Sequence, residues 1–270
     1  MLRSKKFLCV SAAFVLVFSM VAFAAVAYRH QLTCDDAFIS YIYARNLAEG
    51  RGLTWTTGER VEGYTNFLLT VVLAGGSYLG VVPENLSPII GITSGVGLLF
   101  ILWLTAFRQS RGKLSFLLLS PILLGLNRSF GAWASSGLET NLFAFLALAG
   151  VVRYLSEREN RSAASWQSAL LLSLSALTRP EGIMISALVG GFFLFDVIAR
   201  RRASKEFILW AVVLLMVVGC HFIWRYAYYG YFLPNTFYAK TRGNLLDLGV
   251  RYMMVLIKDY RLEVLGVIAF

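Results

Sequence analysis

Twenty-one consecutive residues near the amino terminus, Phe7–Ala27, carry no charge. About 20 predominantly apolar residues in a helix cross the hydrocarbon core of a bilayer. A secretory signal core is shorter, about 7–15 residues, so this run reads as a retained membrane anchor. Comparable runs recur at approximately Pro88–Phe107, Leu114–Leu126, Leu142–Leu155, Trp166–Leu177, Ile183–Ala199 and Phe207–Trp224. Phe67–Val82 is ambiguous, because Gly75-Gly76 interrupts it. Hydrophobic residues make up 58% and charged residues 15% of the 270-residue chain, against about 45–50% and 25% in soluble domains. The fold expected is all-α, a polytopic transmembrane helix bundle, with 1–270 as a single membrane domain.

The net charge is +10, and where that charge sits matters more than its size. Lys and Arg gather in short stretches between apolar runs: Arg3/Lys5/Lys6, Arg108/Arg111/Lys113, Arg153/Arg158/Arg161 and Arg200/Arg201/Arg202/Lys205. Short basic loops face the cytoplasm. The pattern sets orientation and offers no basic, aromatic-interleaved patch for nucleic acid. Two crossings must then separate each consecutive pair of basic loops. The first interval holds one run too many, and Phe67–Val82 is the weakest, so it is expected to lie along the outer leaflet without crossing. Partial penetration of this kind is tolerated only against protein or a water-filled cavity. Parity leaves 29–87, 127–141, 178–182 and 225–261 outside, with the amino terminus inside.

Every unusual polar motif falls in one of those outer segments. Asp35-Asp36 precedes a stretch of good helix formers, Ala37–Ala48. One Asp suffices as a cap, and a second carboxylate at a membrane surface is a candidate general base. Gly58–Asn66 carries Glu62, Tyr64 and Asn66, groups suited to binding sugar hydroxyls, or an ordinary solvated loop. Glu139 opens a span, where the helix dipole favours it and where an ionisable residue is also a functional candidate. Thr178–Gly182 is a tight turn whose Arg179 and Glu181 either pair with each other or, through Arg179, hold a phosphate. Arg225–Lys240 is dense in aromatics, as an interfacial belt or a lipid groove would be. Asn235, Tyr238, Lys240 and Arg242 are its polar candidates. Cys9, Cys34 and Cys220 show no metal-ligand spacing.

Taken together and in this order, Cys34-Asp35-Asp36-Ala37-Phe38-Ile39-Ser40-Tyr41, Gly58-Glu59-Arg60-Val61-Glu62-Gly63-Tyr64-Thr65-Asn66, Gly137-Leu138-Glu139, Thr178-Arg179-Pro180-Glu181-Gly182 and Leu233-Pro234-Asn235-Thr236-Phe237-Tyr238-Ala239-Lys240 resemble the integral-membrane glycosyltransferases of the GT-C superfamily. The subgroup resembled is that of the mycobacterial terminal arabinofuranosyltransferases. The resemblance implies a polyprenyl-phosphate-sugar donor, a glycan or lipid acceptor, and a site on the outer face of the cell membrane. It also implies juxtamembrane helices in the first outer loop and an acidic residue there as catalytic base, so Asp35 or Asp36. Glu139 would shape the sugar pocket, and Arg179, Lys240 and Arg242 would contact phosphate. No cofactor is required by the residues themselves, although some relatives bind a divalent metal.

A transporter or lipid flippase is the competing reading. Its ionisable groups belong near the bilayer midplane, whereas here they sit at the ends of nearly uncharged spans. Glu263–Phe270 resembles the start of a further span, so the chain is expected to be part of a longer one. An inactive membrane fragment is the third reading.

Overall fold

The computed structural model describes residues 2–110, 118–160, 166–199, 203–240 and 245–259. Thirteen α-helices and no strand occur among the described residues. Contacts divide the chain into two compact units, Met1–Phe232 and Leu233–Phe270. The first holds α1 (Leu2–Arg29), α2 (Ala37–Ala48), α3 (Phe67–Tyr78), α4 (Pro83–Gln109), α5 (Leu119–Gly125), α6 (Arg128–Ser135), α7 (Thr140–Asn160), α8 (Trp166–Thr178), α9 (Glu181–Ile198), α10 (Ser204–Leu214) and α11 (Cys220–Tyr229). A single π-helical stretch, Leu215–Gly219, joins α10 to α11. The second holds α12 (Asn235–Lys240) and α13 (Leu245–Asp259).

Among the described residues, four helical stretches are long and apolar enough to cross a membrane: Val10–Arg29, Pro83–Gln109, Glu181–Ile198 and Ser204–Tyr229. The pair α6 and α7, bent by 112° at their junction, is a fifth candidate. The seven crossings expected from the sequence therefore do not all appear as full-length apolar helices. Two of them, Leu114–Leu126 and Trp166–Leu177, differ. The first is described only from residue 118 onward and contributes the seven-residue α5; residues 111–117 lie outside the described residues. The second is α8, 13 residues long, which rises only about 20 Å.

Contacts nevertheless show where α8 begins and ends. Ser168 near its start donates to Glu157 of α7 (2.6 Å), and its backbone N–H also reaches Glu157 (3.2 Å). Arg179 just beyond its end pairs with Glu139, just before α7 (3.5 Å). Glu139 and Glu157 stand about 27 Å apart along a helix axis, so α8 joins the two ends of α7. It can be short because it is an inner helix. After Trp166 none of its residues is exposed, and it needs no lipid-length apolar face. Small residues allow the close packing that helix association in lipid depends on. Gly150 of α7 lies against Leu172, and the Ser173 and Thr178 hydroxyls bond back to Ala169 and Leu174 carbonyls at 2.7 Å.

The remaining contacts continue the alternation. Asp196 late in α9 takes two hydrogen bonds from Arg158 late in α7 (2.6 and 3.0 Å). Trp210 of α10 donates to Ser168 (3.1 Å). Arg225 of α11 reaches Glu62 at the opposite end (2.6 Å). On the other side of the bundle, α1 and α4 run antiparallel: Trp103 donates to the Ala12 carbonyl (2.7 Å), while Gly95 abuts Phe23. Gly131 of α6 lies against Val26 and Ala27. The helix α3 is buried along Leu69, Thr70, Leu73 and Ala74. At 12 residues it is too short to cross a bilayer core of about 30 Å, and it packs on α2 through Tyr41 and Ala44.

Candidate functional site

The acidic pair closes the link between α1 and α2. The helix begins at Ala37, and Asp36 occupies the cap position with right-handed helical backbone angles. The capping role expected for one of the two is absent, because Asp36 makes no side-chain cap hydrogen bond. Asp35 is engaged locally instead: its Oδ1 accepts the Asp36 N–H (3.0 Å) and lies 3.5 Å from the Cys34 thiol. Both carboxylates are exposed. The Cys34 N–H donates to the Ser136 carbonyl (2.9 Å), which moors the pair beside the turn that leads into α7.

That turn supplies the centre of a buried polar network. Gly137, with φ +85°, lets the chain pass close under α2; a Cβ there would meet the Tyr41 hydroxyl at 2.1 Å and the Ala37 Cβ at 2.8 Å. Glu139 follows, 8% exposed. Its Oε2 accepts from Asn66 Nδ2 (2.8 Å), and its Oε1 faces Arg179 (3.5 Å). Asn66 Oδ1 accepts from Ser40 (2.9 Å) and Thr70 (3.1 Å). Ser40 lies one helical turn beyond Asp36, so the Asp pair and the Asn66–Glu139–Arg179 chain occupy one corner. Arg179 also pairs with Glu181 (3.1 Å) and keeps 35% of its side chain exposed. Its Nε and Nη2 both meet Glu181 (3.4 and 3.1 Å) while Nη1 faces Glu139, so of the two readings of this turn the pairing of Arg179 with Glu181 is the one present.

A second layer supports the first. Glu62 and Arg225, 4% and 9% exposed in their side chains, pair at 2.6 Å. Burial pushes the Glu62 carboxyl up from the usual carboxylate range, against the opposing pull of the Arg225 guanidinium. Tyr64 shares a hydrogen bond with Tyr229 (3.2 Å), and Tyr229 donates to the Leu53 carbonyl (2.8 Å). Burial also holds the Tyr64 phenol well above its ordinary value. These contacts tie the loop between α2 and α3 to the end of α11.

The structure thus brings together Asp35, Asp36, Glu62, Tyr64, Asn66, Glu139, Arg179 and Glu181. The aromatic-stretch candidates lie in the second unit or outside the described residues. Asn235 and Tyr238 are exposed on α12, in the second unit. The Lys240 side chain and Arg242 lie outside the described residues. Sequence reasoning missed Arg225, Ser40 and Tyr229. Arg225 carried a usable signal, being a charge at the end of a long apolar run.

The Asp35 and Asp36 carboxylates and the Cys34 thiol have ligand atoms within 4.8 Å of one another. Two carboxylates suit a hard divalent cation completed by water or phosphate oxygens. The thiolate is a soft ligand and does not suit it.

No family model matches the chain, and no solved structure does. Among curated proteins, the chain is 27% identical over 261 residues to a terminal β-(1→2)-arabinofuranosyltransferase of Mycobacterium tuberculosis. The alignment covers 90% of this chain and 40% of that protein, so the chain spans about two-fifths of the relative's length. Over most of its own length, the chain is similar to a glycosyltransferase.

Proposed function

We propose that the chain belongs to a membrane glycosyltransferase that moves a sugar from a polyprenyl-phosphate donor to a glycan or lipid acceptor on the outer face of the cell membrane. The observation that carries this reading is convergence. Asn66, Glu139 and Arg179, far apart in sequence, are linked by a hydrogen bond and an ion pair at the end of the bundle where two exposed carboxylates stand. The similarity to an arabinofuranosyltransferase supports the same reading. An arabinofuranosyl donor and an arabinan acceptor are the first substrates to try.

The chemistry follows from the groups. A sugar hydroxyl is a poor nucleophile, and a carboxylate that accepts its proton as attack begins makes it a good one. Asp36 is the base and Asp35 its positioning neighbour, because an Asp35 oxygen is already engaged by the Asp36 N–H. The leaving group is a lipid phosphate, a stable anion that needs no general acid. Arg179 receives its growing charge by exchanging the Glu181 carboxylate that now holds its Nε and Nη2 for the phosphate, while Glu139 keeps the guanidinium in place. Single displacement inverts the anomeric centre.

The test uses membranes carrying the full-length protein and a radiolabelled polyprenyl-phosphate sugar. Asp36→Asn is expected to lower transfer by about 10²–10⁴-fold, with a smaller loss for Asp35→Asn. Full transfer in both variants would remove the base assignment.

A further inference from the structure

A cleft of about 370 Å³ opens between α2 and the loop that follows it, lined by Ile39, Tyr43, Trp55, Thr56, Glu59, Val61 and Gly63. Three features distinguish it from an ordinary surface groove. Its lips are fixed from below. Buried Asn46 donates to the Thr54 and Trp55 carbonyls (2.7 and 3.1 Å). The Tyr43 hydroxyl donates to the Val61 carbonyl (2.6 Å) and accepts the Gly63 N–H (2.9 Å). Yet the Trp55 indole, carried on that pinned backbone, is left 48% exposed, tilted against Tyr43 with ring centroids 6.3 Å apart.

The cleft also has a direction. Ile39 and Tyr43 follow Asp36 by three and seven residues, which puts all three on one face of α2. Helical backbone angles at Asp36 carry that phase through to it. The cleft therefore runs along the helix face that ends at Asp36, within about 5–10 Å along the axis.

Its charge selects the ligand. No cation lines it. Arg60, the nearest in sequence, lies with its guanidinium over the Tyr228 ring (4.6 Å). Glu59 contributes a carboxylate and Thr56 a hydroxyl. Such a wall repels a phosphate. It suits a neutral ring with one apolar face and several hydroxyl donors, which stacks on an aromatic and hydrogen-bonds at its rim.

We propose that this cleft is the acceptor subsite, seating one sugar ring on Trp55 with a hydroxyl donating to Glu59, so that the next sugar of the acceptor extends past Ile39 and presents its hydroxyl to Asp36. The assignment rests on the glycosyl-transfer reading above. The test uses the full-length protein in nanodiscs, a polyprenyl-phosphate-sugar donor, and octyl-linked arabinofuranosyl, galactofuranosyl and mannopyranosyl disaccharides as acceptors. For the acceptor the wild type glycosylates, Trp55→Ala should raise KM about tenfold, and Trp55→Phe should restore most of it. Donor KM should stay within about twofold of wild type. An unchanged acceptor KM, or a rise in donor KM instead, would overturn the proposal, the latter giving the cleft to the donor's lipid. If Trp55→Ala fails to fold, Glu59→Gln on the exposed rim decides the matter, with an expected rise of about threefold in acceptor KM. If the wild type glycosylates nothing, the transfer reading fails by itself. Saturation-transfer NMR with the same disaccharides then scores the cleft separately: contact in wild type and none in Trp55→Ala supports it, and equal signals in both refute it.

Discussion

At Glu62 and Arg225 the sequence places two charges 163 positions apart, and the fold buries them together. Removing one partner of such a pair strands the other, at a cost of about 3–5 kcal/mol. Arg225→Met should therefore lower the thermal midpoint of the purified protein sharply. Adding Glu62→Gln to it should recover part of the loss, because the two changes share one interaction. Strict additivity would show that the pair is not coupled. Glu62 was legible in the sequence as an acidic group in an outer loop, and Asn66, Glu139 and Arg179 were legible as polar groups at span ends. Their partners were not. Nothing in a single chain tells Glu62 to choose Arg225 over Arg179. The acidic pair was read as half cap and half catalyst, but neither carboxylate reaches the helix amides as a cap would. Ser136 likewise spends its hydroxyl on the turn itself, donating to the Trp133 carbonyl and accepting the Leu138 N–H.

At the scale of elements, the apolar runs marked α1, α4, α9 and the α10–α11 stretch because these helices face lipid and need its length. The helix α8 was found, but its short length reflects burial on all sides, a tertiary fact that run length does not encode. Likewise, α6 and α7 follow one another at a sharp angle because Gly137 turns the chain between them, so the segment 127–141, expected outside the membrane, is itself partly helical. Close helix approach depends on glycine at a few positions. At Gly91 of α4 a Cβ would stand 2.1 Å from the Ala134 carbonyl oxygen of α6, a backbone atom that cannot swing aside. Gly91→Ala should therefore destabilise the protein by about 1–3 kcal/mol, read as a lowered melting temperature in detergent. The same change at Gly191, where a Cβ would meet nothing within 4 Å, should be neutral or slightly stabilising through helix propensity. Equal losses at both sites would refute the packing account.

For the whole molecule, the account turns on which residues share a face. The sequence divided the chain by the location of Lys and Arg. The helix contacts sort polar residues into two groups: Arg158, Glu157, Asp196 and Trp210 toward one end, and Glu62, Asn66, Glu139, Arg179 and Arg225 toward the other. Cysteine accessibility in intact cells reads that division directly. In a protein whose own cysteines are replaced by serine, Arg60→Cys, Arg108→Cys and Lys205→Cys are probed singly with a membrane-impermeant maleimide. The expected result is labelling at position 60 from outside, with positions 108 and 205 labelled only after the cells are opened. Labelling of position 60 only after opening would put the carboxylates in the cytoplasm. Labelling of 60 together with 108 or 205 from outside would dissolve the two-faced arrangement on which sugar transfer at this site depends.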